Sequence, residues 1–317
     1  VVLGALILIL FSVWSNSFIA IDGLLSRGRA GNGALDWWEL VVVRYGLTAI
    51  CMAVYVVGWR ARESLRLLRS EWPRLILLGL LAVPAYSISL FYAQKKGVPP
   101  AIASLCTATV PLFLMILGGL FLGERIGPAK IVGFAVALTG MVMIAVSKDL
   151  GPEALAYPLL VLIALGAPVS WALYSAILKP MMRRESPLLV MFVCMVIVAL
   201  PLWLGLDASL FDRLRGVGPG ALGGREWLLL LYLVGPCTLF GFPLWNWLVK
   251  HLPASSVGFT VFLNPPLTFG FAYLFHGAVP LPLEVAGAVV VLAGIAVVLV
   301  PRSRECPKPL AGPRGSR

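Results

Sequence analysis

Ten apolar runs of about 20 residues recur along the chain, at about 2–22, 37–59, 73–93, 99–122, 127–147, 156–178, 187–206, 227–249, 254–275 and 282–301. A helix needs about 20 apolar residues to cross the hydrocarbon core, where only helices and closed barrels satisfy their own backbone polar groups. The runs are continuous and do not alternate with period two, which argues against a barrel. Composition agrees: 60% of the 317 residues are hydrophobic and 12% charged, whereas a soluble domain carries about a quarter charged. A water-soluble enzyme and a disordered chain are excluded. The first run continues to Asp22 with Trp14 and Asn16 inside it, which reads as a span and not a signal peptide. The fold expected is an all-α polytopic membrane protein with ten transmembrane helices.

The net charge of +11 fits basic loops better than a nucleic-acid face, so no nucleic-acid partner is expected. With the N-terminus in the cytoplasm, the inner segments hold sixteen Lys and Arg and the outer loops eight. That imbalance orients the protein with both termini cytoplasmic, as a multi-pass protein of the plasma or inner membrane. The residues after Pro301 form a basic tail expected to be disordered (302–317). Cys51, Cys106, Cys194, Cys237 and Cys306 show neither disulfide nor metal spacing. No cofactor, metal site or catalytic constellation is expected.

Sliding the chain on itself by 154 residues aligns 94–147 with 248–301 without a gap and matches twelve positions, against about four or five expected by chance. The kind of match matters more than the number. Pro99, Pro111 and Pro128 meet Pro253, Pro265 and Pro282, and Gly123, Gly133 and Gly140 meet Gly277, Gly287 and Gly294. These residues constrain the backbone, so shared positions imply shared helix breaks and close approaches. Five spans (1–150) are thus expected to repeat as five more (151–301), and an odd number per copy inverts the second copy. Two inverted five-helix repeats around a central cavity are a layout of secondary transporters, with the substrate site near the midplane.

The same segments carry a family likeness. "SLCTATVPLFLMILGGLFLGERIGPAKIVGFAVALTGMVMI", "WSNSF" in the first span, Arg44 in the second and "FYAQKKGVPPAIASL" with its counterpart "WNWLVKHLPASSVGF" resemble the EamA-type repeat of the drug/metabolite transporter superfamily. The resemblance covers residues 1–301 and implies export of small metabolites. One departure stands out: Ala278 lies where the first copy has Glu124.

Polar side chains in hydrocarbon need a reason. Ser12, Ser15, Asn16, Ile19 and Asp22 share one helical face, which either lines the cavity or bonds neighbouring helices. Trp171 and Tyr174 offer aromatic faces with polar edges. Thr260, Asn264 and Thr268 repeat every four residues around Pro265 and Pro266, where a broken helix exposes carbonyls. Thr107, Tyr86 and Asn246 complete the candidate substrate lining. Arg44 lies about seven residues inside its span, where a charge costs about 2.5–3.5 kcal/mol. It serves either as a structural or gating charge or as the partner of Asp22 or a substrate carboxylate. Glu124 and Arg125 read as an interfacial turn. Gly119, Gly123, Gly133 and Gly140 either hold the bundle together or build a homodimer.

The expected function is a secondary transporter, an exporter of amino-acid-like or drug-like amphipathic solutes working by alternating access, with a small-molecule substrate and the lipid bilayer as partners. The alternatives are an integral-membrane lipid-modifying enzyme, which needs a His/Asp/Glu cluster near one interface, and a channel, which needs a charged ring or filter.

Overall fold

The computed structural model describes residues 2–29, 35–98, 100–147, 158–202, 208–216, 221–276 and 279–299, and every regular element among them is helical. The first half holds α1 (Val2–Arg29), α2 (Trp37–Trp59), α3 (Ala61–Leu80), a π-helical segment (Leu81–Ala85), α4 (Tyr86–Lys95), α5 (Pro100–Thr107), α6 (Val110–Leu122) and α7 (Pro128–Ser147). The second holds α8 (Pro158–Ala164), α9 (Gly166–Met181), α10 (Pro187–Leu202), the short α11 (Ala208–Leu214) and α12 (Gly224–Tyr232). A second π segment (Leu233–Phe240), α13 (Gly241–His251), α14 (Ala254–Phe259), a 3-10 turn (Thr260–Leu263), α15 (Asn264–His276) and α16 (Pro282–Leu299) follow. Among the described residues, six helical stretches are long and apolar enough to cross a membrane, and three shorter apolar helices join them. The protein is a multi-pass membrane protein. The 302–317 tail lies outside the described residues.

Prolines set the breaks. The stretch from Ala61 to Lys95 turns π-helical around Pro84, and that from Gly224 to His251 does so around Pro236. Proline has no N–H and crowds the preceding turn, so the ladder slips by one residue. The run 99–122 breaks at 108–109, and the run 254–275 breaks through a 3-10 turn that includes 262–263. These two breaks fall at aligned positions of the internal repeat, each followed by the shared proline, Pro111 or Pro265.

The most extensive helix pairing joins α7 to α16. A Cβ on Gly133 would meet Gly294 O at 2.8 Å, and one on Gly140 would meet Gly287 O at 2.5 Å. Each glycine therefore faces the repeat mate of the other, and the two helices run antiparallel. The glycine faces are occupied within the chain. One apolar core runs through both halves, while Val57, Trp59, Leu120, Phe121 and Leu274 lie on the outside, each more than 70% exposed, as lipid-facing side chains do. Gly140→Val is expected to overpack this contact and cost about 1–3 kcal/mol, read as a lower melting temperature in detergent. Gly127→Ala, with nothing within 4 Å of its added Cβ, leaves that temperature within a degree or two of wild type.

Candidate functional site

A cavity lies between the halves. Its walls come from Trp14, Ser17, Phe18 and Ile21 of α1, Arg44 and Tyr45 of α2, and Tyr86 and Leu90 of α4. Thr107 and Val110 at the α5–α6 break, Trp171 of α9, Phe242 of α13, Val261 and Asn264 close it. Trp171 is its aromatic centre. Its ring lies 5.6 Å from Trp14, 5.5 Å from Tyr86, 5.1 Å from Phe242 and 5.1 Å from Tyr174, mostly edge to face, the arrangement the ring quadrupoles favour.

The π segments position these walls. Trp14 Nε1 donates to Cys237 O at 3.0 Å, and Ser170 Oγ, next to Trp171, donates to Leu81 O at 2.5 Å. Thr238 Oγ1 donates to Leu233 O at 2.7 Å and accepts from Arg44 Nε and Nη2 at 3.3 and 3.1 Å. Arg44 is only 5% exposed. Its guanidinium carbon stands 5.0 Å over the Tyr45 ring and 5.9 Å from that of Phe91.

Of the residues singled out from sequence, Arg44, Tyr86, Thr107, Trp171 and Asn264 meet at this cavity. Tyr174 and Asn246 lie behind Trp171, where the phenol donates to Asn246 Oδ1 at 2.8 Å and the amide nitrogen of Asn246 is buried without a partner. Thr260 donates to Val257 O at 2.6 Å and is fully buried. The polar face of α1 divides. Ser15 Oγ lies 3.3 Å from Asn264 Oδ1, whereas Ser12, Asn16 and Ile19 line a separate groove with Arg225, Leu229, Tyr232 and Phe271. Asp22 is partly buried and is not among the cavity's lining residues. The face of α1 that does line the cavity is Trp14, Ser17, Phe18 and Ile21, whose spacing was available in the sequence. Nothing in the sequence marked Phe242.

Glu124 lies in the non-helical connection 123–127 between α6 and α7. Its carboxylate accepts from Ala254 N at 2.5 Å, Ser255 N at 3.1 Å and Ser255 Oγ at 2.5 Å, capping α14 across the two halves. Lys130 Nζ lies 3.8 Å from it and donates to Ser255 Oγ at 2.6 Å. Nearby, Lys179 Nζ donates to Val249 O at 2.9 Å and to Leu252 O, the last carbonyls around the end of α13.

A helical multi-pass membrane protein with an aromatic cavity shared by its two halves is of the class that handles small organic molecules in the bilayer. The chain belongs to the EamA-like transporter family, whose model matches residues 2–146 and 158–300. It is similar to a probable terminal-alkyne amino-acid exporter of Streptantibioticus cattleyicolor, 29% identical and covering 93% of this chain and 94% of the relative. It is also similar to a probable amino-acid metabolite efflux pump of Salmonella typhimurium, 26% identical over 92% and 93% of the two chains. A pseudopaline exporter of Pseudomonas aeruginosa is 26% identical over 95% and 97%. A crystal structure 22% identical in sequence shares the fold, with a TM-score of 0.67 over 93% of this chain and 96% of its own. Family membership makes the protein a transporter and not a lipid-modifying enzyme.

Tyr174→Phe removes the donor to Asn246 Oδ1 and leaves both ends of that buried amide without a side-chain partner. A loss of about 1–3 kcal/mol is expected, measured as thermal or denaturant stability of the purified protein.

Proposed function

We propose that this chain exports amino-acid-like or similar amphipathic metabolites from the cytoplasm, binding them in the cavity around Trp171. The observation that carries the reading is that both halves supply this cavity's walls at their helix breaks. In this reading ten helices form two inverted five-helix repeats, 1–150 and 151–301, in the inner membrane with both termini cytoplasmic. Support comes from the antiparallel glycine contact of α7 with α16, from the aligned breaks, and from the sixteen-to-eight distribution of Lys and Arg. Relatives named as amino-acid and metabolite exporters support the direction and solute class.

Alternating access then works by rocking one half against the other. On the cytoplasmic side of this topology, the Glu124 cap and the Lys179 contacts tie the first half and α9 to α13 and α14. Opening that side requires the cap to release. A carboxylate that accepts three hydrogen bonds loses much of its hold when neutralised.

Untargeted mass spectrometry of growth medium tests the reading. Cells expressing the intact chain are expected to release a metabolite that cells expressing Trp171→Ala release at least tenfold less, at matched membrane levels. No difference across several carbon sources sinks the exporter reading. Glu124→Gln is expected to raise the labelling of a cysteine at Asn264 by a thiol reagent added from the cytoplasmic side of inverted vesicles. Unchanged labelling removes the cap from the gating step.

A further inference from the structure

Among the described residues, Arg44 presents a charge with no countercharge. Its side chain is about 95% buried, yet no carboxylate of the described residues lies within ion-pair distance of it. Its hydrogen-bond partner among them is the neutral hydroxyl of Thr238. That hydroxyl spends its proton on Leu233 O, so it faces Arg44 with lone pairs. The contact fixes the plane of the guanidinium but neutralises nothing. The rings of Tyr45 and Phe91 flank it and likewise carry no net charge. Two of the five N–H donors are engaged with Thr238. The remaining three belong to the forked end that matches a carboxylate with two parallel bonds.

The rest of the cavity sharpens the selection. Among the described residues lining it, Arg44 alone is charged. A solute ammonium entering there would meet aromatic faces and the amide of Asn264, no carboxylate, and the field of Arg44. A carboxylate would meet the fork directly, in surroundings where charge-assisted bonds are strong.

We infer that Arg44, held in plane by Thr238, anchors the carboxylate of the transported solute. The cavity thus takes monocarboxylates with an aromatic or apolar body and makes no demand for an amino group. The inference rests on the transport reading and narrows it: an amino acid is accepted through its acid end, and its deaminated analogue serves equally well.

The test uses the purified full-length chain and three probes of one shape: 3-phenylpropionate, L-phenylalanine and phenethylamine. Binding is followed by the fluorescence of the cavity tryptophans or by thermal shift. 3-Phenylpropionate and L-phenylalanine are expected to bind within a few-fold of each other, and phenethylamine at least tenfold more weakly. Arg44→Gln erases the difference, and Arg44→Lys keeps part of it. Thr238→Val retains the charge but not its orientation, and weakens the two acids while leaving the amine unchanged. It carries the test if Arg44→Gln does not fold. A purely structural role for Arg44 would lower stability without moving the acid-to-amine ratio. The inference is overturned if the amine binds as well as the acids, or if the ratio survives Arg44→Gln. It is also overturned if none of the probes binds while intact cells still release a metabolite into the medium. Failure of both binding and release takes the transport reading down with it.

Discussion

Hydrocarbon supplies no hydrogen-bond partner, so a helix inside it can break only where the protein itself receives the freed groups. Both π segments obey this constraint. Leu81 O, which already takes a π-type bond from Tyr86 N–H, accepts a second bond from Ser170, and Cys237 O, next to Pro236, accepts from Trp14. Leu233 O accepts from Thr238, and Tyr232 donates to Val13 O. Each of the first three side-chain bonds also sets a cavity wall, because Ser170 precedes Trp171, Trp14 is itself lining, and Thr238 holds Arg44. Breaking the helices and building the site are one event. The proline that costs a ladder bond positions an aromatic ring or a charge in return.

Two buried ionic groups illustrate opposite solutions to the same expense. Glu124 is surrounded by donors: two backbone N–H groups at a helix start, a serine hydroxyl and a nearby lysine. Its charge is matched within the fold, and the match joins the two halves. Among the described residues, Arg44 receives one neutral oxygen and two ring faces. A cation so incompletely compensated is costly to keep, and it stands on the cavity wall, where the proposed solute carboxylate would compensate it.

The helices were legible in the sequence because hydropathy is a local property, and their breaks because proline acts locally too. Pro111 and Pro265 mark both breaks in the sequence. The cavity-facing side of α1 was harder to read. Polarity drew attention to Ser12 and Asn16, yet Asn16 Nδ2 donates to Ser12 O at 3.0 Å, within its own helix. A small polar residue that can satisfy itself on the preceding turn has no need of a wet cavity. The aromatic face made by Trp14, Phe18 and Ile21 resembled ordinary core. Tyr174 donates to Asn246 Oδ1 from 72 positions away, a pairing that no spacing rule encodes. The cap that Glu124 makes was hidden for the same reason, since its partners lie 130 and 131 positions away. What the sequence did hold was the mismatch at the repeat position, Ala278.

That mismatch extends to the whole cluster. Glu124, Lys130 and Ser255 have as their repeat mates Ala278, Glu284 and Ala101. An alanine at both former cap positions can neither accept nor donate, and Glu284 instead accepts from Leu281 N at 2.9 Å, within its own helix start. The sequence thus places no carboxylate or hydroxyl at the repeat-mate positions of Glu124 and Ser255, whose polar tie joins the halves. The opposite side is joined by Glu39 and Arg213, a partly exposed ion pair reaching α11, where solvent and salt weaken the attraction. In the proposed two-repeat reading, two ends closed by different chemistry have different opening costs, so the two open states need not be equally populated.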